Sequence, residues 1–165
     1  MQQFILHWGE MGSRWGVNRS VAQIHALLFL AEEPLSAEEI ADTLSVARSN
    51  VSNSLKELQN WELVTITHVL GDRRDHFEAK KDIWEVLTVV LDGRKRREID
   101  PAINILEQCS KNLDDGTPSE VGQRIHSMLE FLNEANQWYE QTRHIPRATL
   151  LKLMRMGAKI SKVVA

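Results

Sequence analysis

Apolar positions recur along this chain with two periods. Phe4, Trp8, Met11 and Trp15 fall at helical spacing, which predicts a first amphipathic helix broken by Gly16, Val17 and Asn18. Val21, Ile24, Leu27, Leu28 and Ala31 predict a second helix over about 19–32, ended by Pro34. Ser36-Ala37-Glu38-Glu39 has the form of a capping box, in which a serine and the glutamate three residues on satisfy each other's free backbone donors. The short helix it opens buries Ile40, Ala41 and Leu44. After Ser45-Val46 a further helix begins near Arg48, with Val51, Leu55 and Leu58 inward, and stops near Asn60-Trp61.

The period then changes to two. Val64, Thr65, Ile66, Thr67 and Val69 predict a strand over 63–69, Gly71-Asp72 a turn, and His76 to Ala79 the returning strand. From about 82 to 112 the pattern is helical again, with Ile83, Leu87, Val90 and Leu91 inward. Pro101 should kink or divide this stretch, with Asp100 as a cap for its second half. Thr117-Pro118-Ser119-Glu120 reads as a second capping box, opening a helix marked by Val121, Ile125, Met128, Leu132, Ala135 and Trp138. Pro146 ends that segment, and a last helix covers about 147–164. The predicted fold class is mainly α with a small β-hairpin: a winged helix-turn-helix with N- and C-terminal helical dimerisation elements. Residues 1–33 are read as supporting helices, 34–80 as the winged core and 81–165 as the long dimerisation helices.

Composition narrows the function. The chain has 165 residues, enough to bury a core without disulfides or structural metal. The single cysteine, Cys109, fits a cytoplasmic setting and is read as a small core residue. The sequence has neither an apolar run of membrane-spanning length nor a basic-then-apolar leader, so a soluble protein without a membrane partner is expected. His7, His25, His68, His76, His126 and His144 lie scattered without metal-ligand spacing, and there is no phosphate-binding glycine loop. No cofactor, metal site or catalytic residue is therefore expected, and the chain is read as not an enzyme. The formal net charge of −3 argues mildly against nucleic acid as a partner, so local charge must decide.

Locally, the helix starting near Arg48 turns Arg48, Ser49, Ser52, Asn53 and Lys56 outward, none of them acidic. A second helix of a helix-turn-helix needs such a face to enter the major groove. Asn53 can pair with adenine and Arg48 with guanine, each worth about 1–3 kcal/mol of discrimination. Ser49, Ser52 and Lys56 suit phosphate. The hairpin tip, Gly71-Asp72-Arg73-Arg74-Asp75, would project arginine toward a phosphate or a narrow minor groove, with the flanking aspartates steadying the guanidinium groups. A winged helix that only contacts other proteins is the alternative.

Pro34 to Ala79, PLSAEEIADTLSVARSNVSNSLKELQNWELVTITHVLGDRRDHFEA, resembles the core of MarR-type regulators, and more narrowly their GbsR-like branch. MGSRWGVNRSVAQIHALLFL, from Met11, and RKRREIDPA, from Arg94, resemble that branch as well. The resemblance implies a cytoplasmic homodimer that binds pseudo-palindromic operators in double-stranded DNA, usually as a repressor; a small-molecule effector is a further expected partner. It places Arg48, Ser49, Asn50, Ser52, Asn53 and Lys56 on the recognition helix and Arg73 and Arg74 on the wing. Two positions depart from the pattern. Ser45 stands where a turn glycine is common, and Ala47 where a capping serine is common. Trp8, Trp15, Trp84, Trp138 and Tyr139 are candidates for an aromatic cage around a quaternary ammonium such as choline. Lys152, Arg155, Lys159 and Lys162 would form a cationic face on the last helix.

Overall fold

The computed structural model describes residues 1–113 and 118–160, with side chains as far as 156. They group into two compact units, 1–93 and 94–165. In the first, helix α1 (Gln2–Arg14) packs on α2 (Arg19–Leu30), and the short strand β1 (Leu35–Ser36) leads into α3 (Ala37–Leu44). Helix α4 (Arg48–Asn60) follows, then strands β2 (Val64–Thr67) and β3 (His76–Ala79), then α5 (Ile83–Arg94). The sheet is antiparallel in the order β1-β3-β2, with Val64 opposite Ala79 and Leu35 opposite Phe77. The sequence reading missed β1, whose two residues are too few to show an alternating pattern.

One hydrophobic core runs through this unit. Ile24, Leu28, Ile40, Val51, Leu55 and Leu58 are its most enclosed side chains, and Ile5, Leu63, Val64, Phe77 and Val86 complete it. The buried face of α1 differs from the predicted stripe. It is Ile5, Gly9 and Gly12 that turn fully inward; of the predicted stripe Trp8 packs against the core and Met11 is half-buried, while Phe4 and Trp15 are exposed. The glycines explain the rotation. A Cβ on Gly12 would lie 2.5 Å from the Cβ of Ala22, so α1 and α2 meet nearly backbone to backbone along that side. On α5 Val86 is buried and Val90, as expected, packs against the core, whereas Ile83, Leu87 and Leu91, expected inside, face outward. Gly93 also sits against the Trp61 ring, which leaves no room for a side chain there.

The C-terminus of α2 is held by a distant cation. Lys81 Nζ donates to the carbonyls of Leu28 (2.6 Å), Phe29 (3.3 Å) and Ala31 (2.5 Å), which the last turn of a helix leaves without partners. A positive charge is also favoured at that end of the helix dipole.

The second unit begins with a π-helical segment, Lys95–Ile99, followed by α6 (Asp100–Lys111), α7 (Ser119–Thr142) and α8 (Arg147–Ile160). Pro101 does disturb the helix, as expected, but Asp100 does not cap it. The proline cannot donate to the preceding turn and its ring crowds that turn's carbonyl, and the wider π turn makes room. The Asp100 carboxylate instead takes Lys95 Nζ at 2.8 Å, and Glu140 meets the same ammonium at 3.3 Å. These two carboxylates, Asp100 first, hold the Lys95 ammonium above the usual lysine range. Helix α7 starts after Pro118; Thr117, the expected cap, lies outside the described residues. Helix α7 has no fully buried residue, and Val121, Met128, Phe131 and Trp138 are exposed on it. Cys109, expected in a core, is exposed on α6. Lys152 and Arg155 are exposed on α8, whereas the side chain of Lys159 and all of Lys162 lie outside the described residues.

Candidate nucleic-acid interface

The helix-turn-helix is built from α3, a tight turn and α4. The N-terminus of α3 carries the full capping box. Glu39 N–H donates to Ser36 Oγ (3.3 Å), while the Glu39 carboxylate accepts from Ser36 N–H (2.8 Å) and Oγ–H (2.6 Å). The Ser36 hydroxyl, then its amide, hold the Glu39 carboxyl below the ordinary range. The turn into α4 is made by Ser45 in the left-handed region (φ 54°), so the residue standing in the usual glycine place does adopt the glycine-like conformation. Ala47 precedes α4 with no side-chain cap, leaving the first donors of that helix open. At its far end Glu62 is also left-handed (φ 59°), and Leu63 N–H reaches back to the Leu58 carbonyl (3.0 Å) to close the helix.

Val51, Ser54, Leu55 and Leu58 fix the rotation of α4 by burying one side of it. The opposite side then carries Arg48, Ser49, Ser52, Asn53 and Lys56, all exposed as the sequence predicts. Of these, Ser49, Ser52, Asn53 and Lys56 make no side-chain bond to another described residue. Two members of the predicted set are engaged. Asn50 Nδ2 donates to Ser20 Oγ (3.0 Å), and its carbonyl oxygen faces the Ser54 hydroxyl at 3.4 Å. Asn50 therefore ties α4 to α2. Arg48 Nη1 is 2.8 Å from Glu38 Oε1, although its side chain remains 67% exposed.

Beyond β2 the chain reaches the wing tip. Gly71 (φ 89°) makes the turn, with Asp72 N–H donating to the Val69 carbonyl (3.1 Å). The two arginines diverge. Arg73 is exposed, with no partner among the described residues. Arg74 folds back: Asp72 takes it through Nε (2.9 Å) and Nη2 (2.5 Å), Glu38 takes Nη1 at 3.1 Å, and the Ser36 hydroxyl lies 3.4 Å from the same nitrogen. The Arg74 guanidinium holds the Asp72 carboxyl far below the carboxylate range, and Asp72, then Glu38, push Arg74 further up. His76 is buried beneath, with Nδ1 3.0 Å from the Arg74 carbonyl and Nε2 3.6 Å from Asp72. The sequence reading did not single out Glu38. Its only signal was an acidic residue in the first turn of the helix before the recognition helix, which capping alone explains.

The aromatic candidates fall in both units. Trp8 stacks on Phe4 (centroids 5.3 Å) and lies 6.3 Å from the His25 ring, which in turn is 6.2 Å from Phe29. Trp15 is 63% exposed, and Trp84 is half-buried on α5. In the second unit Trp138 is 67% exposed and Tyr139 half-buried. Among the described residues no cluster of His, Cys, Asp and Glu could hold a metal ion, and no helix is long and apolar enough to cross a membrane.

Comparison with known proteins agrees with this geometry. Residues 15–75 match the model of the MarR family. The HTH-type transcriptional repressor GbsR of Bacillus subtilis (strain 168) is 23% identical over 136 residues, covering 77% of this chain and 74% of that protein. A solved crystal structure of a transcriptional regulator superposes with a TM-score of 0.68 at 19% identity, covering 86% of this chain and 93% of that one. That likeness is one of fold. Residues 15–75, a winged helix-turn-helix in this structure, thus match the MarR family model, and the chain is similar to the repressor GbsR over most of its length.

Proposed function

We propose that this protein is a cytoplasmic, homodimeric transcription regulator that binds a pseudo-palindromic operator, acts as a repressor and has no enzymatic activity of its own. The observation that carries the reading is the outward side of α4, where Ser49, Ser52, Asn53 and Lys56 stand exposed and unengaged on a helix whose other side is locked into the core. Asn53 is the residue best suited to a base edge, since its amide can donate to and accept from adenine. Arg73, free at the wing tip, is the residue best suited to phosphate or a minor groove. The transcriptional repressor among its relatives supports the same reading. Dimerisation is supported by the exposed Val121, Met128, Phe131 and Trp138 on α7, more apolar surface than one helix leaves in water without a partner.

The test is fluorescence anisotropy with the DNA upstream of the protein's own gene and a random duplex of equal length. Asn53→Ala should weaken binding to the upstream DNA by about ten- to a hundred-fold and leave the random duplex nearly unaffected. Arg73→Ala should weaken both and reduce the salt slope by about 1, because one phosphate contact is lost. Wild-type behaviour of both variants would sink the assignment of this face. Failure of the wild type to bind either duplex would favour the protein-interaction reading.

An effector completes the proposal. Trp8, Trp15, Trp84, Trp138 and Tyr139 remain its candidate residues, with a quaternary ammonium as ligand. Choline should change the tryptophan emission at millimolar concentration; an unchanged spectrum removes that ligand.

A further inference from the structure

Glu38 lies in the first turn of α3, where a negative charge is favoured by the helix dipole. Its two oxygens go to two different guanidinium groups. Oε1 meets Arg48, the first residue of the recognition helix, at 2.8 Å, and Oε2 meets Arg74 of the wing at 3.1 Å. One carboxylate thus ties the recognition helix to the wing through a cation of each. It occupies both arginines in the way a phosphate would, with the same charge and the same oxygen donors. Arg74 is further held by Asp72, and Arg48 has only Glu38 among the ion pairs of the described residues.

We propose that Glu38 is a specificity-determining residue that keeps Arg48 and Arg74 from indiscriminate phosphate contact and yields them only to a site offering enough other contacts to displace it. The inference rests on the regulator reading above and goes beyond it, because the residue acts against wrong sequences rather than for the right one. Discrimination is a difference of affinities, and weakening the competitor serves it as well as strengthening the target. The mechanism suits a surface ion pair. Such a pair contributes little to folding, since both partners are well solvated, so its exchange for a phosphate is nearly balanced. On random DNA, which supplies phosphate alone, the exchange gains little. On an operator, the contacts made by Asn53 and its neighbours add to it.

The experiment compares wild type, Glu38→Gln and Glu38→Asp on the upstream and random duplexes across a salt series, with melting curves to confirm folding. Glu38→Gln keeps the shape and removes the charge. It should bind the random duplex about three- to ten-fold more tightly, with a salt slope steeper by about 1 to 2, while the upstream duplex gains less, so that the ratio between them falls. Glu38→Asp keeps the charge but is shorter by one methylene, and should show a smaller change in the same direction. In an Arg48→Gln background the effect of Glu38→Gln should shrink, which a purely structural role would not produce. If both variants bind the random duplex no more tightly than wild type, with an unchanged salt slope, the proposal is overturned and the regulator reading stands. A wild type that binds neither duplex overturns the regulator reading and this proposal with it.

Discussion

Truncating Leu55 to alanine is expected to lower the unfolding free energy by about 3 kcal/mol, without touching a residue that faces solvent. Leu55 is 2% exposed and sits on the inner side of α4, in the same cluster as Ile24, Leu28, Ile40, Val51 and Leu58. The loss combines the transfer free energy of the deleted methyl groups with the cavity they leave, which helices on several sides prevent from closing. Small domains are stable by only about 5–15 kcal/mol, so the variant should show a urea midpoint lower by more than about 1 M. A midpoint within about 0.3 M of wild type would mean that α4 is not packed on this side. Since Asn53, Ser52 and Lys56 are untouched, the folded fraction of the variant should keep wild-type affinity for DNA. Core and recognition face can therefore be separated on a single helix.

Lowering the pH from 7 to 5 should by itself remove about 2 kcal/mol of stability, and His25 is the cause. Burial between Trp8 and Phe29 lowers its pKa to about 4, and its Nε2 is enclosed without a hydrogen-bond partner. In the unfolded chain the imidazole titrates near its ordinary 6.5. Below that value the unfolded state takes up a proton that the folded state refuses, so stability is complete above about pH 6.5 and falls as the pH drops toward 4. The carboxyls of Asp72 and Glu39, held low in the fold, give up their contributions only at more acidic pH, which leaves the interval between 6.5 and 5 to the histidine. Urea unfolding of wild type and His25→Phe at pH 7 and pH 5 checks this. The phenylalanine variant should lose most of the slope; an equal slope in both proteins would assign it elsewhere.

The winged core was readable because each of its parts follows from a local rule. Ser36 and Glu39 are three residues apart, as a capping box requires, and the structure forms it. Val51, Leu55 and Leu58 recur at helical spacing and set which side of α4 is outside. His76 to Ala79 alternates between flanking polar residues and forms β3 with those bounds. What stayed hidden depends on residues far apart in the chain. Arg48, Asn50 and Arg74 have the chemistry of DNA contacts, but only the fold brings Glu38 to the first and third and Ser20 to the second. The apolar stripes of α1 and α5 misled for a related reason. Periodicity finds a helix, but glycines decide how closely another helix can approach, and Gly9 and Gly12 turn α1 away from the side its large residues mark.

Lys81 has a further consequence for the order in which the first unit is assembled. The ammonium that closes the end of α2 is separated from Leu28 by 53 positions. As the chain leaves the ribosome, α2 is complete long before its terminal carbonyls have anything but water to bind. Closing so long a loop is slow relative to forming local helix contacts. The last turn of α2 therefore gains its cation only once the residues that follow β3 are in place.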